Sequence, residues 1–230
     1  ARVSVRRSDE PTSGDRGHIV YVSGIAWDAD QRHLESYDMH VERVRRALAT
    51  FCGDSFTYVS STRVYEGAAS TREDALLSLD LSDIQATYKH SKIAGESLCL
   101  GLDDARVRIV RLSNLFGPSI RSGLFLSDVL RAAVRHGIVR VRTSRESSKD
   151  YVAAEDCANL IPQIARRGRH RIYNIARGEN TPNAVILDAI GAASGARIEI
   201  APEAPAAITP PISVARLAQE FEVPRRRVED

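Results

Sequence analysis

At 230 residues, 43% of them hydrophobic and 27% charged, the chain has the size and composition of one substantial globular core with a small appendage. Its formal net charge of +2 is too small to point to nucleic acid or a membrane surface. No apolar run approaches the ~20 residues that a bilayer crossing needs, and no signal-peptide pattern opens the chain, so a cytoplasmic protein is expected.

Cys52, Cys99 and Cys157 are odd in number and widely spaced, with no CxxC and no neighbouring His. That argues against a disulfide framework and against a metal site. Lysine is scarce: only Lys89, Lys92 and Lys149 stand among the 32 basic residues.

In chain order, apolar β-branched runs alternate with helical patterns, which predicts an α/β fold built on a parallel sheet. Residues 1–6 can form a strand, and HIVYVSG (18–24) makes a better one. Leu34, Tyr37, Val41, Val44 and Leu48 recur at helical spacing and predict a helix over 33–51. SFTYVSS (55–61) reads as a short buried strand ending in hydroxyls, and after a polar loop a helix is expected over 84–100. RVRIVRL (106–112) is the next strand, closed by the turn residues Ser113, Asn114, Gly117 and Pro118. A helix over 124–136, a strand over 138–142, a helix over 155–166 through Pro162 and a strand over 170–176 follow. Thr181 and Pro182 are expected as N-cap and first position of a helix reaching 193. RIEI (197–200), a Pro-rich loop over 202–211 and a helix near 213–221 complete a small C-terminal subdomain.

Two features carry chemistry. Tyr88 and Lys92 are four residues apart in a helical stretch, so phenol and ammonium address a common point. A phenol ionises near 10, and a neighbouring cation favours the phenolate, which makes a usable acid/base near neutral pH. An amphipathic helix that merely carries both residues is the alternative. Ser60 and Ser61 end a predicted buried strand, and in open parallel sheets ligands sit beyond the carboxyl ends of strands. A hydroxyl there can donate to a developing oxyanion; a turn serine bonded to local backbone is the alternative.

Five segments in order, FTYVSSTRVYE (56–66), TYKHSKIAGE (87–96), VRLSNLFGP (110–118), KDYVAAEDCA (149–158) and YNIARGENTP (173–182), resemble the extended short-chain dehydrogenase/reductase family. This is the group of nucleotide-sugar epimerases, dehydratases and reductases; YVSGIAWDA (21–29) resembles its segment after the fourth strand. The resemblance implies a Rossmann-like, doubly wound parallel sheet with a small C-terminal α/β substrate subdomain. It divides the chain into a core over 1–118, a substrate-side segment over 119–150, a return to the core over 151–180 and a substrate subdomain over 181–230.

The resemblance also implies roles. Tyr88 exchanges the proton of a sugar hydroxyl, Lys92 holds the nicotinamide ribose and lowers the tyrosine pKa, and Ser61 bonds the reacting oxygen. Asn114 and Lys149 fall where the family holds substrate, and Ser23 and Gly24 lie against an NAD or NADP cofactor. Homodimers packed through the helices near 33–51 and 84–100 are expected.

Several positions depart from the family. Dehydratases place Asp-Glu directly after the catalytic hydroxyl, where this chain has Thr62 and Arg63; 4-epimerisation or keto-sugar reduction is therefore expected ahead of 4,6-dehydration. His40 stands where the family often has Asn and is expected to be a surface or packing residue. No Gly-x-x-Gly-x-x-Gly loop follows a first strand. Residues 1–10 resemble the family's second strand, so at least one βα unit of the family is expected to lie outside this sequence. Arg6 and Arg7 then stand near the carboxyl end of that strand and tilt the cofactor toward NADP. The competing readings are a cofactor-free remnant of the fold acting as a binding module, and non-redox acid/base chemistry at the same pair.

Overall fold

A computed structural model describes residues 4–5, 17–22, 31–83, 86–117 and 124–230. The expected strand at 1–6, together with Arg6, Arg7, Ser23 and Gly24, lies outside the described residues, apart from residues 4 and 5. Two compact units are present. The first comprises Ala1–Ala68, Leu76–Leu112 and Ala158–Tyr173; the second comprises Ala69–Ala75, Ser113–Cys157 and Asn174–Asp230.

The first unit is built on parallel strands β1 (His18–Tyr21), β2 (Ser55–Ser61) and β3 (Val107–Leu112), with β7 (Ile172–Ile175) completing the order β1-β2-β3-β7. Register runs from His18 opposite Ser55 to Tyr21 opposite Tyr58, and from Phe56 opposite Val107 to Ser61 opposite Leu112. β2 is flanked on both edges and buried from Ser55 through Ser60, which is why it reads as a continuous run rather than an alternation. Tyr21, Val44, Phe56, Tyr58, Cys99 and Ile109 pack into one core.

The helix expected over 33–51 is present as α1 (His33–Tyr37), a π-helical turn over Asp38–Glu42, and α2 (Arg43–Ala49). The next helix, α3 (Thr87–Gly101), carries the tyrosine–lysine pair. It lies close against both the π-turn and β2 because of Gly95. A Cβ there would sit 2.3 Å from the carbonyl oxygen of His40 and 2.6 Å from the Tyr58 hydroxyl, so only glycine admits this approach.

The second unit holds a three-stranded sheet, β4 (Asn114–Phe116), β6 (Ser148–Ala153) and β8 (Asn180–Pro182), and a parallel pair, β5 (Ile138–Val141) with β9 (Arg197–Ile200). α4 (Phe125–His136) and α6 (Asn183–Ser194) pack with the β5–β9 pair around Val129, Val139, Ile186 and Leu187. α4 stops at Gly137, whose φ of 64° is the left-handed cap that glycine supplies cheaply. α5 (Ala154–Arg167) runs through Pro162, and a short α7 (Ala215–Ala218) is the helix expected near 213–221.

Three expectations are corrected. Asn114, read as a turn residue, opens strand β4, whose Asn114 pairs with Tyr151 of β6. β6 itself was not anticipated, because SKDYVA has no alternation of apolar and polar residues. Thr181 does not cap α6: it is buried in β8 opposite Lys149, and Pro182 is the N-cap, with no side-chain cap bond. A threonine before a proline suits an extended strand as well as a cap, and tertiary pairing decides between them. Among the described residues no helix is long and apolar enough to cross a membrane.

Candidate active site

β2 carries Ser60 and Ser61 to its carboxyl end, and a 3₁₀ turn over Thr62–Tyr65 follows at once. Ser61 is extended, and its hydroxyl accepts the backbone N–H of Arg63 at 3.3 Å, which fixes the start of the turn. Tyr88 lies in the first turn of α3 and Lys92 one turn later. The Ser61 hydroxyl is also a hydrogen-bond partner of the Tyr88 phenol. Ser61, Tyr88 and Lys92 therefore belong to one unit and converge beside the end of one parallel strand.

The electrostatics differ in detail from the simple pair expected. Burial raises the Tyr88 phenol above its usual range; the Ser61 bond and the Arg63 guanidinium pull it back, and Glu66 adds to the rise. The cation acting on the phenol is thus Arg63, whose Cζ lies 5.1 Å from the centre of the Tyr88 ring. Lys92 is 4% exposed, and its Nζ donates to the carbonyl of Val59 at 3.0 Å. That Nζ lies 5.8 Å from the Tyr88 ring centre. Burial pulls the Lys92 ammonium down to about 7, with Glu96 opposing, so its charge is marginal at neutral pH in this state.

Below this pair is a buried ion pair. Arg111 donates through Nη2 to Glu96 at 2.6 Å and through Nη1 to the Tyr65 hydroxyl at 2.7 Å. Both charged side chains are 3% exposed. The network ties β3 to α3 and to the turn after Ser61, so it fixes the relative positions of Ser61 and Lys92.

Of the two expectations for His40, surface or packing, the structure shows packing, and at the site itself. It is fully buried in the π-turn, its ring meets the Tyr88 ring edge-on at 5.5 Å, and its Nδ1 bonds the Ser91 hydroxyl at 2.8 Å. Its Nε2 has no hydrogen-bond partner among the described residues. Burial first, and then Lys92, pulls its pKa from 6.5 to about 3, so the ring is neutral. An unfolded His takes up a proton near 6.5 while His40 does not until about 3, so acid favours the unfolded chain across that window. Acidification should cost about 1 kcal/mol of stability per pH unit through this residue. Melting curves of the parent and of His40→Asn between about pH 7 and pH 5 check this. The parent should lose stability more steeply, and equal slopes would contradict it.

Asn114 and Lys149 lie in the second unit, on the same three-stranded sheet. Both are exposed, and Asn114 Nδ2 donates to the carbonyl of Asp150 at 2.8 Å. The structure thus groups the site residues as Ser61, Tyr88 and Lys92 in one unit and Asn114 and Lys149 in the other. Sequence reasoning missed the placement of Arg63 and His40 against Tyr88. Arg63 was legible only as a departure from an acidic motif, and no spacing rule carries a residue across a 3₁₀ turn onto a helix that begins more than twenty positions later.

The profile of the NAD dependent epimerase/dehydratase family matches residues 18–176. The chain belongs to that family. No curated protein sequence matches the chain. Among solved structures, RMD from Pseudomonas aeruginosa complexed with NADPH is similar at a TM-score of 0.74 and 20% identity, over 91% of this chain and 76% of that one. The UDP-glucuronic acid 4-epimerase from Bacillus cereus, in complex with UDP-glucuronic acid and NAD, is similar at 0.74 and 16%, over 90% and 70%. TunA, an NAD dependent NDP-hexosamine 5,6-dehydratase, is similar at 0.74 and 20%, over 87% and 68%. At these identities the likeness establishes the fold: an α/β Rossmann-type architecture.

Proposed function

We propose that this protein is an NAD(P)-dependent epimerase or keto-reductase of nucleotide-sugars. The observation that carries the reading is the convergence of Ser61, Tyr88 and Lys92 at the carboxyl end of a buried parallel strand, with the Ser61 hydroxyl bonded to the phenol. Membership of an NAD-dependent family and likeness to nucleotide-sugar enzymes support it.

The residues fit a dinucleotide at this strand end. Ser60 Oγ is buried there without a partner among the described residues, the kind of atom that a bound polar group satisfies. Lys92 and Tyr88 would hold the nicotinamide-ribose end, and NAD(P), when bound, would supply hydride acceptance and return. Tyr88 would take the proton of the sugar hydroxyl during oxidation and give it back during reduction. Ser61 would donate to the reacting oxygen as its charge grows, and Lys92, once charged, would favour the phenolate. Within the second unit, Asn114 and Lys149 are the polar and cationic groups that this reading assigns to phosphate binding. That Thr62 and Arg63 supply no acid/base pair of carboxylates supports reading the reaction as epimerisation or reduction ahead of dehydration. The reading extends to a homodimer through α1–α2 and α3; Leu34, 88% exposed, and Leu100 are apolar residues available on those helices.

The test is the fate of the carbinol hydrogen. A nucleotide-sugar deuterated at the reacting carbon should be converted, in the presence of NAD(P), to product sugar or reduced nicotinamide that carries the label, with none released to water.

A further inference from the structure

Arg63 is placed in a way that the proposed reaction does not require. Its guanidinium lies over the Tyr88 ring, with Cζ 5.1 Å from the ring centre. Its backbone N–H is bonded to Ser61, so the same residue touches both groups that would face the reacting carbon–oxygen bond. Glu66 takes only the Nε edge, at 3.0 Å. The two terminal nitrogens have no partner among the described residues, and the side chain is 41% exposed. A planar fork with a free edge is matched to a carboxylate or phosphate, which accepts two parallel N–H bonds.

Which anion it meets follows from where it stands. In 4-epimerisation the reacting carbon lies across the sugar ring from the anomeric diphosphate, so the diphosphate is remote from the phenol. Of the two substituents beside the reacting carbon, the hydroxyl at C3 and the C6 group at C5, only the C6 group can carry an anion. We infer that Arg63 recognises a carboxylate at C6, and that the substrate class is a nucleotide-activated uronic acid rather than a neutral hexose. This rests on the reading that Tyr88 and Ser61 address the reacting hydroxyl. A neutral hydroxymethyl group would offer the fork a single uncharged acceptor, whereas a carboxylate adds a charge-assisted pair. The contact is made in ground state and transition state alike, so it acts on affinity and selects substrate.

The experiment is equilibrium titration of the protein, with NAD present, using pairs matched except at C6: UDP-glucuronate with UDP-glucose, and GDP-mannuronate with GDP-mannose. UDP and GDP alone serve as further arms. In at least one pair the acid should bind roughly 10- to 100-fold more tightly than its neutral partner, the range expected for one charge-assisted bidentate contact. Arg63→Gln should bring that ratio to within about threefold, and Arg63→Lys should retain part of it. Melting temperatures of both variants should match the parent, as a side chain 41% exposed allows. Absence of acid preference in every pair, or of binding by any member, overturns the assignment. An equal loss on acid, neutral sugar and free nucleotide in Arg63→Gln also overturns it, because Arg63 would then hold a diphosphate. Tyr88-dependent turnover without acid preference would sink this inference while leaving the epimerase or reductase reading intact. Acid preference with deuterium lost to water would do the reverse.

Discussion

Tyr88→Phe is expected to lower turnover of the nucleotide-sugar by roughly 10²- to 10⁴-fold, the share that a positioned acid/base typically supplies. The substitution removes one oxygen and keeps the ring. The edge-on contact with His40 survives, and the lost partner of Ser61 faces a half-buried position. Stability should therefore hold while chemistry fails, a combination that separates a catalytic phenol from a packing one. The measurement is steady-state turnover beside a melting curve. Near-normal turnover with an unchanged melting temperature would show that the Tyr-x-x-x-Lys spacing is an accident of an amphipathic helix.

Glu96→Ala should have the largest effect on stability, about 3–5 kcal/mol, because it leaves Arg111 buried without its counter-charge. Arg111 would keep its bond to Tyr65, but an uncompensated guanidinium at 3% exposure is costly. A second consequence concerns function. Glu96 is the group that opposes the fall of the Lys92 pKa, so removing it drives the ammonium further below about 7 and leaves Lys92 uncharged at neutral pH. The variant should be both less stable to denaturant and slower per folded molecule. Pairing Glu96→Gln with Arg111→Met removes both charges and should recover most of the stability without restoring the rate. A loss under about 1 kcal/mol for Glu96→Ala would show that water or rearrangement compensates Arg111.

The strongly patterned elements were legible in the sequence. SFTYVSS matches β2 to the residue, and α3, α4, β5 and β9 fall within a few positions of their expected bounds, because each carries a clear period or a continuous buried run. β4, β6 and β8 were not legible. β4 and β8 are three residues long, and their Asn114 and Thr181 have the local preferences of turns and caps, while β6 lacks the alternation of apolar and polar residues that marks a strand. At the site, helix spacing alone brought Tyr88 and Lys92 into view. Arg63 and His40 reach the same phenol through a 3₁₀ turn and a π-turn, whose side-chain directions no periodic template describes. The balance of charge was hidden for the same reason: the depth of Lys92 and the pairing of Glu96 with Arg111 depend on tertiary packing.

The central claim is that Tyr88 and Lys92 serve hydride chemistry on a nucleotide-sugar, and isotope retention tests it most directly. The protein would be mixed with NAD or NADP and a nucleotide-sugar deuterated at the reacting carbon, with Tyr88→Phe as the control. Label found in the product sugar or in the nicotinamide, formed only with the dinucleotide and not formed by Tyr88→Phe, is the predicted result. Deuterium appearing in water with no dinucleotide present would contradict it and assign the tyrosine–lysine pair to proton chemistry alone.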